Sequence, residues 1–431
     1  MAATQPGRWS VDAGGRYLRR DGQLSLLLGD TAWELIHRLR EDETQVFLER
    51  RAEQGFNTVF VVAVAEFDGV TEPTTDGLVP FPTMDPGSPG EPYWQHVDRV
   101  VALAESADLT VGLLPTWGRW WHAPFADGPP LLNPGNAHAY GEFLGSRYRD
   151  ADVLWVLGGD RVPTTPDHFE TISLLAQGIR AGGADQLMTF HPAGARSSSD
   201  THADADFIAF DMCQSGHSGW ANPNYQYVEQ DYRREPHRPT LDGEPNYEHH
   251  PVMTPQWKPM EQRFDERDVR RSAYHAVLAG AAGHVYGCHD VWQMFDPTRD
   301  GAMAEPINEA NLPWRQAIDL PGAQQIGHLA TLVTDVDLFQ FVPDQSLIAY
   351  GAGVAASHQR AMRTDDGALV YAPGGRAVHV DLSRWTGPLE VRWFDPRAGR
   401  WHQADGVQAG RRVTVPHAFD GDDGVLRVSQ L

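Results

Sequence analysis

The chain has 431 residues, 41% of them hydrophobic and 22% charged, enough for one large core and a second, smaller one. Its formal net charge of -23 repels nucleic acid and anionic lipid, so neither nucleic acid nor a membrane is an expected partner and a neutral ligand is the easier one. Cys213 and Cys288 both lie in apolar or strand-like stretches, which argues against a disulfide framework or a cysteine-based zinc cluster.

The opening MAATQPGRWS carries no basic stretch followed by an apolar run, and no window reaches the ~18 consecutive apolar residues of a membrane span. The expected location is therefore the cytoplasm, or outside the cell if a leader has been removed. After a short N-terminal β extension, β-rich apolar runs alternate with amphipathic stretches. Strands are expected at Leu24–Leu28, Thr58–Val64, Thr110–Pro115, Val153–Leu157, Leu187–Phe190, Phe207–Phe210, Pro239–Leu241 and Gly283–Tyr286.

Helices are expected between them, at Asp42–Gln54, Tyr93–Ala107, Pro134–Arg149, Pro166–Ala181, Asn224–Arg234, Asp265–Ala279 and Pro321–Thr334. The clearest stripe is Trp94, Val97, Val101 and Ala104, at three- and four-residue steps. Eight strands with intervening helices and no GxGxxG or GxxxxGK[ST] loop point to a (β/α)8 TIM barrel rather than a doubly wound sheet. After about residue 335 the text becomes strand, turn, strand, with Pro-Gly-Gly and Pro-Arg-Ala-Gly as turn chemistry. The expected division is thus 1–334 for the catalytic barrel and 335–431 for a small C-terminal antiparallel β-sandwich.

In such a barrel the active site lies at the C-terminal ends of the strands. Strand one ends in Asp30 and Trp33, strand three in Trp117, Arg119, Trp120 and Trp121, and strand four in Gly158-Gly159-Asp160-Arg161. Strand five runs into His191, strand six into Gln214 and His217, strand seven into Asp242-Gly243-Glu244-Pro245-Asn246-Tyr247-Glu248, and strand eight into His289 and Trp292. Aromatic faces stack on the C–H faces of sugars, and amide or imidazole groups bond hydroxyls, so this rim fits a carbohydrate substrate.

Glycosidic cleavage needs two carboxyl groups, one to protonate the leaving oxygen and one to attack the anomeric carbon or activate water. Asp160 and Glu244 are about three β/α units apart, across the barrel mouth, as general acid/base and nucleophile are in many retaining barrel glycosidases. Asp160-Arg161 also reads as a capping or salt-bridge pair, and Asp242 and Glu248 rival Glu244. Glu244 sits nearest the strand end and precedes a proline, which holds its backbone extended.

No catalytic metal or cofactor is expected. Glu248-His249-His250 and the pair His284 and His289 look ligand-like, but neighbouring residues rarely point the same way and no H-E-x-x-H, H-x-H or Cys/His set occurs. A serine hydrolase is disfavoured because Ser215 and Ser218 lack a G-x-S-x-G elbow.

At these residues the chain resembles the apiosidase-like glycoside hydrolases (glycoside hydrolase family 140). The resemblance runs through LLLGDTAWEL, QGFNTVFV, YWQHVDRVVALAESADLTVGLLPTWG, VLWVLGGDR, DGEPNYE, AGHVYGCHDVW and PGAQQIGHLATLV. WFDPRAGRW resembles the small β domain, labelled collagen-binding, that follows the barrel in such proteins. The resemblance implies a retaining (β/α)8 hydrolase with Asp160 as acid/base, Glu244 as nucleophile, and cleavage of apiosyl linkages of the pectic polysaccharide rhamnogalacturonan-II. The loop Glu66–Glu91 and the segment Gly118–Leu132 are expected to shape the subsites. The expected function is hydrolysis of an apiosyl or furanosidic linkage in plant-derived oligosaccharides or glycosides. The remaining substrate contacts are expected from Asp30, Trp33, Trp117, Arg119, Trp120, His191, Gln214, His217, Tyr247, His289 and Trp292. The alternative is a barrel that binds carbohydrate without catalysis, against which both carboxyls stand.

Overall fold

Eight short buried runs, most of them apolar and β-branched, pair side by side and curl into a parallel barrel. The computed structural model describes residues 9–126 and 128–431, so the first eight residues of the expected catalytic domain lie outside the described residues. In chain order the barrel strands are Leu27–Thr31, Thr58–Val62, Thr110–Leu114, Val153–Gly158, Met188–His191, Asp211–Gln214, Thr240–Asp242 and Gly283–Tyr286. Parallel ladders join them from the fifth back to the first, then on through the eighth and seventh to the sixth. The ring closes between the fifth and sixth, where Ala209 N–H donates to Met188 O (2.8 Å) and Thr189 Oγ1 donates to Phe210 O (2.6 Å).

Two strands differ from the sequence expectation. Gln23–Ser25 belongs to an antiparallel N-terminal sheet with Trp9–Val11 and Leu18–Arg20, and the first barrel strand starts only at Leu27. The sixth strand is not the apolar Phe207–Phe210 but the following Asp211–Gln214, whose mixed character hid it. Asp211 accepts from Ser198 Oγ (2.9 Å) and Gln214 faces the mouth, so polar residues complete a strand that is buried throughout.

The barrel interior explains two glycines. Phe60 on the second strand fills the space across from both neighbours. A Cβ on Gly29 or Gly112 would meet its ring at 2.6 and 2.5 Å. Outside the barrel, helices Glu41–Glu53, Glu91–Ser106, Ala137–Tyr148, Pro166–Ala181, Tyr225–Tyr232, Glu266–Leu278 and Pro321–Val336 cover the strands. Pro166 and Pro321 occupy first-turn positions, where a missing N–H costs nothing, and Asp265 caps the helix at Glu266 by accepting from Arg267 and Asp268 N–H.

From Val342 onward the chain forms two antiparallel sheets, a seven-stranded one and the pair Val378–Val380 with Val413–Val415. Val370, Val378, Val380, Trp393 and Leu426 lie in the core between them. Helix Glu266–Leu278 joins this unit to the barrel. Its Arg270 pairs with Asp423 (2.6 Å), both buried, and its Tyr274 stacks on Tyr371 with ring centroids 5.3 Å apart.

One buried ion pair ties the first strand to its helix. Strand alternation turns Asp30 away from the barrel axis, and Arg51 Nε meets it at 2.7 Å with neither side chain exposed. Burial pushes the Asp30 carboxyl up to about 6, against the opposing charge of Arg51. Because the folded pKa lies above the unfolded one, keeping Asp30 ionised costs stability as pH rises past it. Arg51→Met is therefore expected to lower stability by roughly 3 kcal/mol at neutral pH and by less near pH 5, where Asp30 takes up a proton. Thermal midpoints measured across that range check this.

Candidate functional site

The fourth strand ends in three consecutive residues with left-handed backbone: Gly158 (φ 95°), Gly159 (φ 102°) and Asp160 (φ 57°). The glycines are required here, since a Cβ at 158 would meet His191 O at 2.6 Å and one at 159 would meet Gly118 N at 2.7 Å. A left-handed aspartate is an uncommon conformation, held in place by its neighbours. Asp160 N–H donates to His191 Nδ1 (3.3 Å), Arg161 Nη1 donates to the Asp160 carboxylate (3.2 Å), and the Gln214 side chain hydrogen-bonds it.

Glu244 follows the seventh strand and is buried. His191 Nε2 stands 2.9 Å from one carboxyl oxygen and His217 Nε2 stands 3.1 Å from the other. His191 Nδ1 lies within reach of both Asp160 N–H (3.3 Å) and Pro192 O (3.0 Å), which fixes the ring with its Nε2 edge toward Glu244. His217 is in turn stacked on His250 (4.3 Å, 22°) and packed on Tyr247 (4.5 Å), while His250 meets His289 edge-on at 4.3 Å.

Burial raises the pKa of both carboxyls, yet they end up on opposite sides of the ordinary value. On Glu244 the hydrogen bonds and charges of His191 and His217 outweigh burial and hold the group well below the usual carboxylate range. On Asp160 burial and the Glu244 charge act together, and the opposing His191, Arg161 and Gln214 do not cancel them, so the group is raised. Two neighbouring carboxyls whose pKa values are pushed apart are the pattern that acid-assisted displacement uses.

The two face a cavity of about 290 Å³ lined by Trp33, Glu66, Phe67, Trp117, Tyr247 and Trp292, among others. Trp33 and Trp117 pack with centroids 5.1 Å apart, and Trp33 Nε1 donates to Tyr247 Oη (3.1 Å). A second cavity of about 670 Å³ adjoins it, with Asp160, His217 and Trp257 lining both.

Residues 12–340 match the family model "Apiosidase-like, catalytic domain" and residues 342–428 match "Putative collagen-binding domain of a collagenase". The chain belongs to the apiosidase-like family. A solved structure described as a glycoside hydrolase shares 30% identity with a TM-score of 0.85, covering 98% of this chain and 97% of that one. A glycoside hydrolase family 5 structure from Bacteroides vulgatus shares 29% identity with a TM-score of 0.85, covering 98% and 94%. An exo-beta-1,4-mannosidase from Opitutaceae bacterium strain TAV5 shares the fold at 15% identity and a TM-score of 0.52, covering 76% and 63%. No curated protein matches the chain. It is a glycosidase.

The apiosidase-like barrel brings Asp160, Glu244, Trp33, Trp117, His191, Gln214, His217, Tyr247 and Trp292 to this site. Four expected contacts are placed elsewhere. Asp30 faces Arg51 in the helix layer, and His289 lies behind His250, with Asn308 O at 3.0 Å from its Nε2. Arg119 is exposed and packs over Trp120, whose indole is buried and donates to Ala65 O (2.7 Å). Trp121 likewise donates to Gly158 O (2.8 Å), bracing the turn before Asp160 rather than facing a sugar. The rivals of Glu244 are also turned away: Asp242 accepts from Asn224 (2.8 Å) and Ser215, and Glu248 accepts from Tyr286 Oη (2.5 Å) and Gly322 N–H (3.0 Å).

Glu66, Phe67, Trp257 and Asn308 line the site without having been singled out from sequence as contacts, and His250, weighed there only as a metal ligand, joins them. Glu66 is the most informative. It meets Arg161 at 2.7 Å, and burial, with added repulsion from Asp160 and Glu34 against the charge of Arg161, pushes it up to about 7. The loop starting at Glu66 was expected to shape subsites, but no spacing marks this carboxyl.

Because the histidine contacts hold Glu244 low, removing one is expected to let it rise. His217→Phe, which keeps a ring against His250, should move the acid limb of the kcat/KM profile upward by roughly one pH unit. An unmoved acid limb would show that His217 does not sustain the anion.

Proposed function

We propose that this chain is a retaining glycosidase that cleaves an apiosyl or other furanosidic linkage in plant-derived oligosaccharides or glycosides by double displacement. The observation that carries the reading is the pair of carboxyls facing one small cavity with pKa values displaced in opposite directions. Family membership supports the apiosyl assignment, and a glycone space of about 290 Å³ suits a single sugar ring.

In the first step Glu244 attacks the anomeric carbon as the bond to the leaving oxygen breaks, and Asp160 gives that oxygen its proton. An ester links sugar and Glu244. Asp160, now ionised, then takes a proton from water whose oxygen attacks the anomeric carbon, releasing Glu244 as a carboxylate and restoring the acid. Two inversions at one carbon give retention. His191 and His217 stabilise Glu244 before attack and as it departs. Trp33, Trp117 and Trp292 supply apolar faces and keep water from the carboxylate.

The test uses a panel of aryl furanosides, apiosides included. Glu244→Ala is expected to abolish hydrolysis, with azide restoring turnover and yielding a glycosyl azide of inverted configuration. For the wild type, NMR of the first-formed sugar is expected to show the anomer of the substrate. Hydrolysis that survives Glu244→Ala, or a first product of opposite configuration, sinks the reading. Asp160→Ala is expected to cost roughly 10²–10⁴-fold on poor leaving groups, far less on activated aryl ones, and to flatten the alkaline limb.

A further inference from the structure

Trp257 breaks a local rule in a place where the core gives no reason for it, with the ring of His217 6.4 Å from its own. The segment after Glu248 forms a hairpin, Pro251–Met253 paired with Pro259–Arg263, closed by Pro255, Gln256 and Trp257. Trp257 N–H donates to Thr254 O (2.8 Å) and Thr254 N–H donates to Lys258 O (2.9 Å), the pattern of a three-residue loop whose last position is left-handed. That position favours glycine or asparagine. Here a tryptophan occupies it at φ 56°, and its side chain is 53% exposed. A bulky residue in a strained conformation, largely in solvent, is not explained by the core, and such departures concentrate at functional sites.

The indole's position supplies the reason. Trp257 lines both cavities of the cleft, and the hairpin beneath it is bonded to the wall of the larger one. Met253 N–H donates to His217 O (3.0 Å), and Gly219 N–H donates to Met253 O (3.0 Å). Glu244 lines only the smaller cavity, whereas Asp160 lines both. Under the proposed mechanism the anomeric carbon must sit by Glu244 and the departing oxygen by Asp160, so the larger cavity is where the leaving group lies.

We propose that Trp257 is the stacking platform of the leaving-group subsite and that this subsite takes a neutral sugar ring. Beyond Asp160 and His217, which it shares with the smaller cavity, its polar lining is Gln214, Ser215, Ser218, Asn222 and Tyr227, uncharged donors and acceptors suited to hydroxyl groups. No Lys or Arg lines either cavity among the described residues, and neighbouring Lys258 lines neither. A chain of net charge -23 adds a general penalty against an anionic ring.

The inference rests on the glycosidase reading of the preceding subsection, and its test is arranged so the two can fail separately. Three substrates share one apiosyl residue: the glycosyl fluoride, the disaccharide on glucose, and the disaccharide on galacturonate. Trp257→Ala is expected to lower kcat/KM for the glucose disaccharide roughly tenfold, mostly through KM, and for the fluoride by no more than about twofold. The wild type is expected to prefer glucose over galacturonate as leaving group, with Lys258→Met leaving that ratio as it was. Equal losses on fluoride and disaccharide, no loss on either, or a preference for galacturonate would each overturn the subsite while Glu244 dependence stands. A separate arm needs no substrate. Trp257→Gly relieves the left-handed strain, so its thermal midpoint is expected to equal or exceed that of the wild type. A fall of several degrees would assign the indole to holding the loop instead.

Discussion

The mouth of this barrel is organised around one buried negative charge. Glu244 is removed from water, and an unpaired carboxylate in that position would neutralise itself. Two imidazoles stand in for the lost hydration, one on each oxygen, and both are themselves constrained. His191 is fixed by the Asp160 backbone, and His217 is clamped between His250 and Tyr247. The same charge then acts on Asp160 across the cleft and helps raise its pKa. The two carboxyls are therefore not independent of one another. Each depends on the protonation state of the other, and the histidine ladder sets which is which.

That arrangement is affordable because other charges are kept out of the cleft. Asp30, Glu248 and Asp242 sit close in sequence or space to Asp160 and Glu244, but each is turned outward toward partners, Asp30 to Arg51, Glu248 to Tyr286 with Gly322, and Asp242 to Asn224 with Ser215. Burial raises all three to about 6, so near neutrality each draws on its partners to stay ionised. Glu66 is different. It remains on the cleft wall, linked to Asp160 through Arg161, and its raised pKa lets it change charge near neutrality.

Much of this was legible in the one-dimensional pattern. Alternating strand and helix runs announce the barrel, and the rule that chemistry sits after the strands brings Asp160 and Glu244 forward, with Asp242 and Glu248 still rivals of Glu244 until the family resemblance chooses. The rule is coarser than it looks, because side chains alternate along a strand and rotate through the turn that follows it. Asp30, Arg119, Trp120 and His289 are as close to strand ends as Trp33 or Gln214, yet they point to the helix layer, to solvent or behind the histidine stack. The sixth strand was misplaced for a related reason: hydrophobicity marked the turn before it, while the strand itself, Asp211–Gln214, reads as mixed.

The sequence alone determined the barrel and the following β unit, which follow from periodicity and turn chemistry, and it named Asp160 and Glu244 as candidate carboxyls from their place at strand ends and the family resemblance. Only the tertiary structure decided which residues face the sugar space. Glu66, His250 and Trp257 arrive on connections whose paths depend on long-range packing, so no local spacing distinguishes them from solvent-exposed loop residues. The opposed pKa shifts of Asp160 and Glu244 were likewise invisible, because a pKa is set by burial and by partners distant in sequence, here His191, His217 and each other.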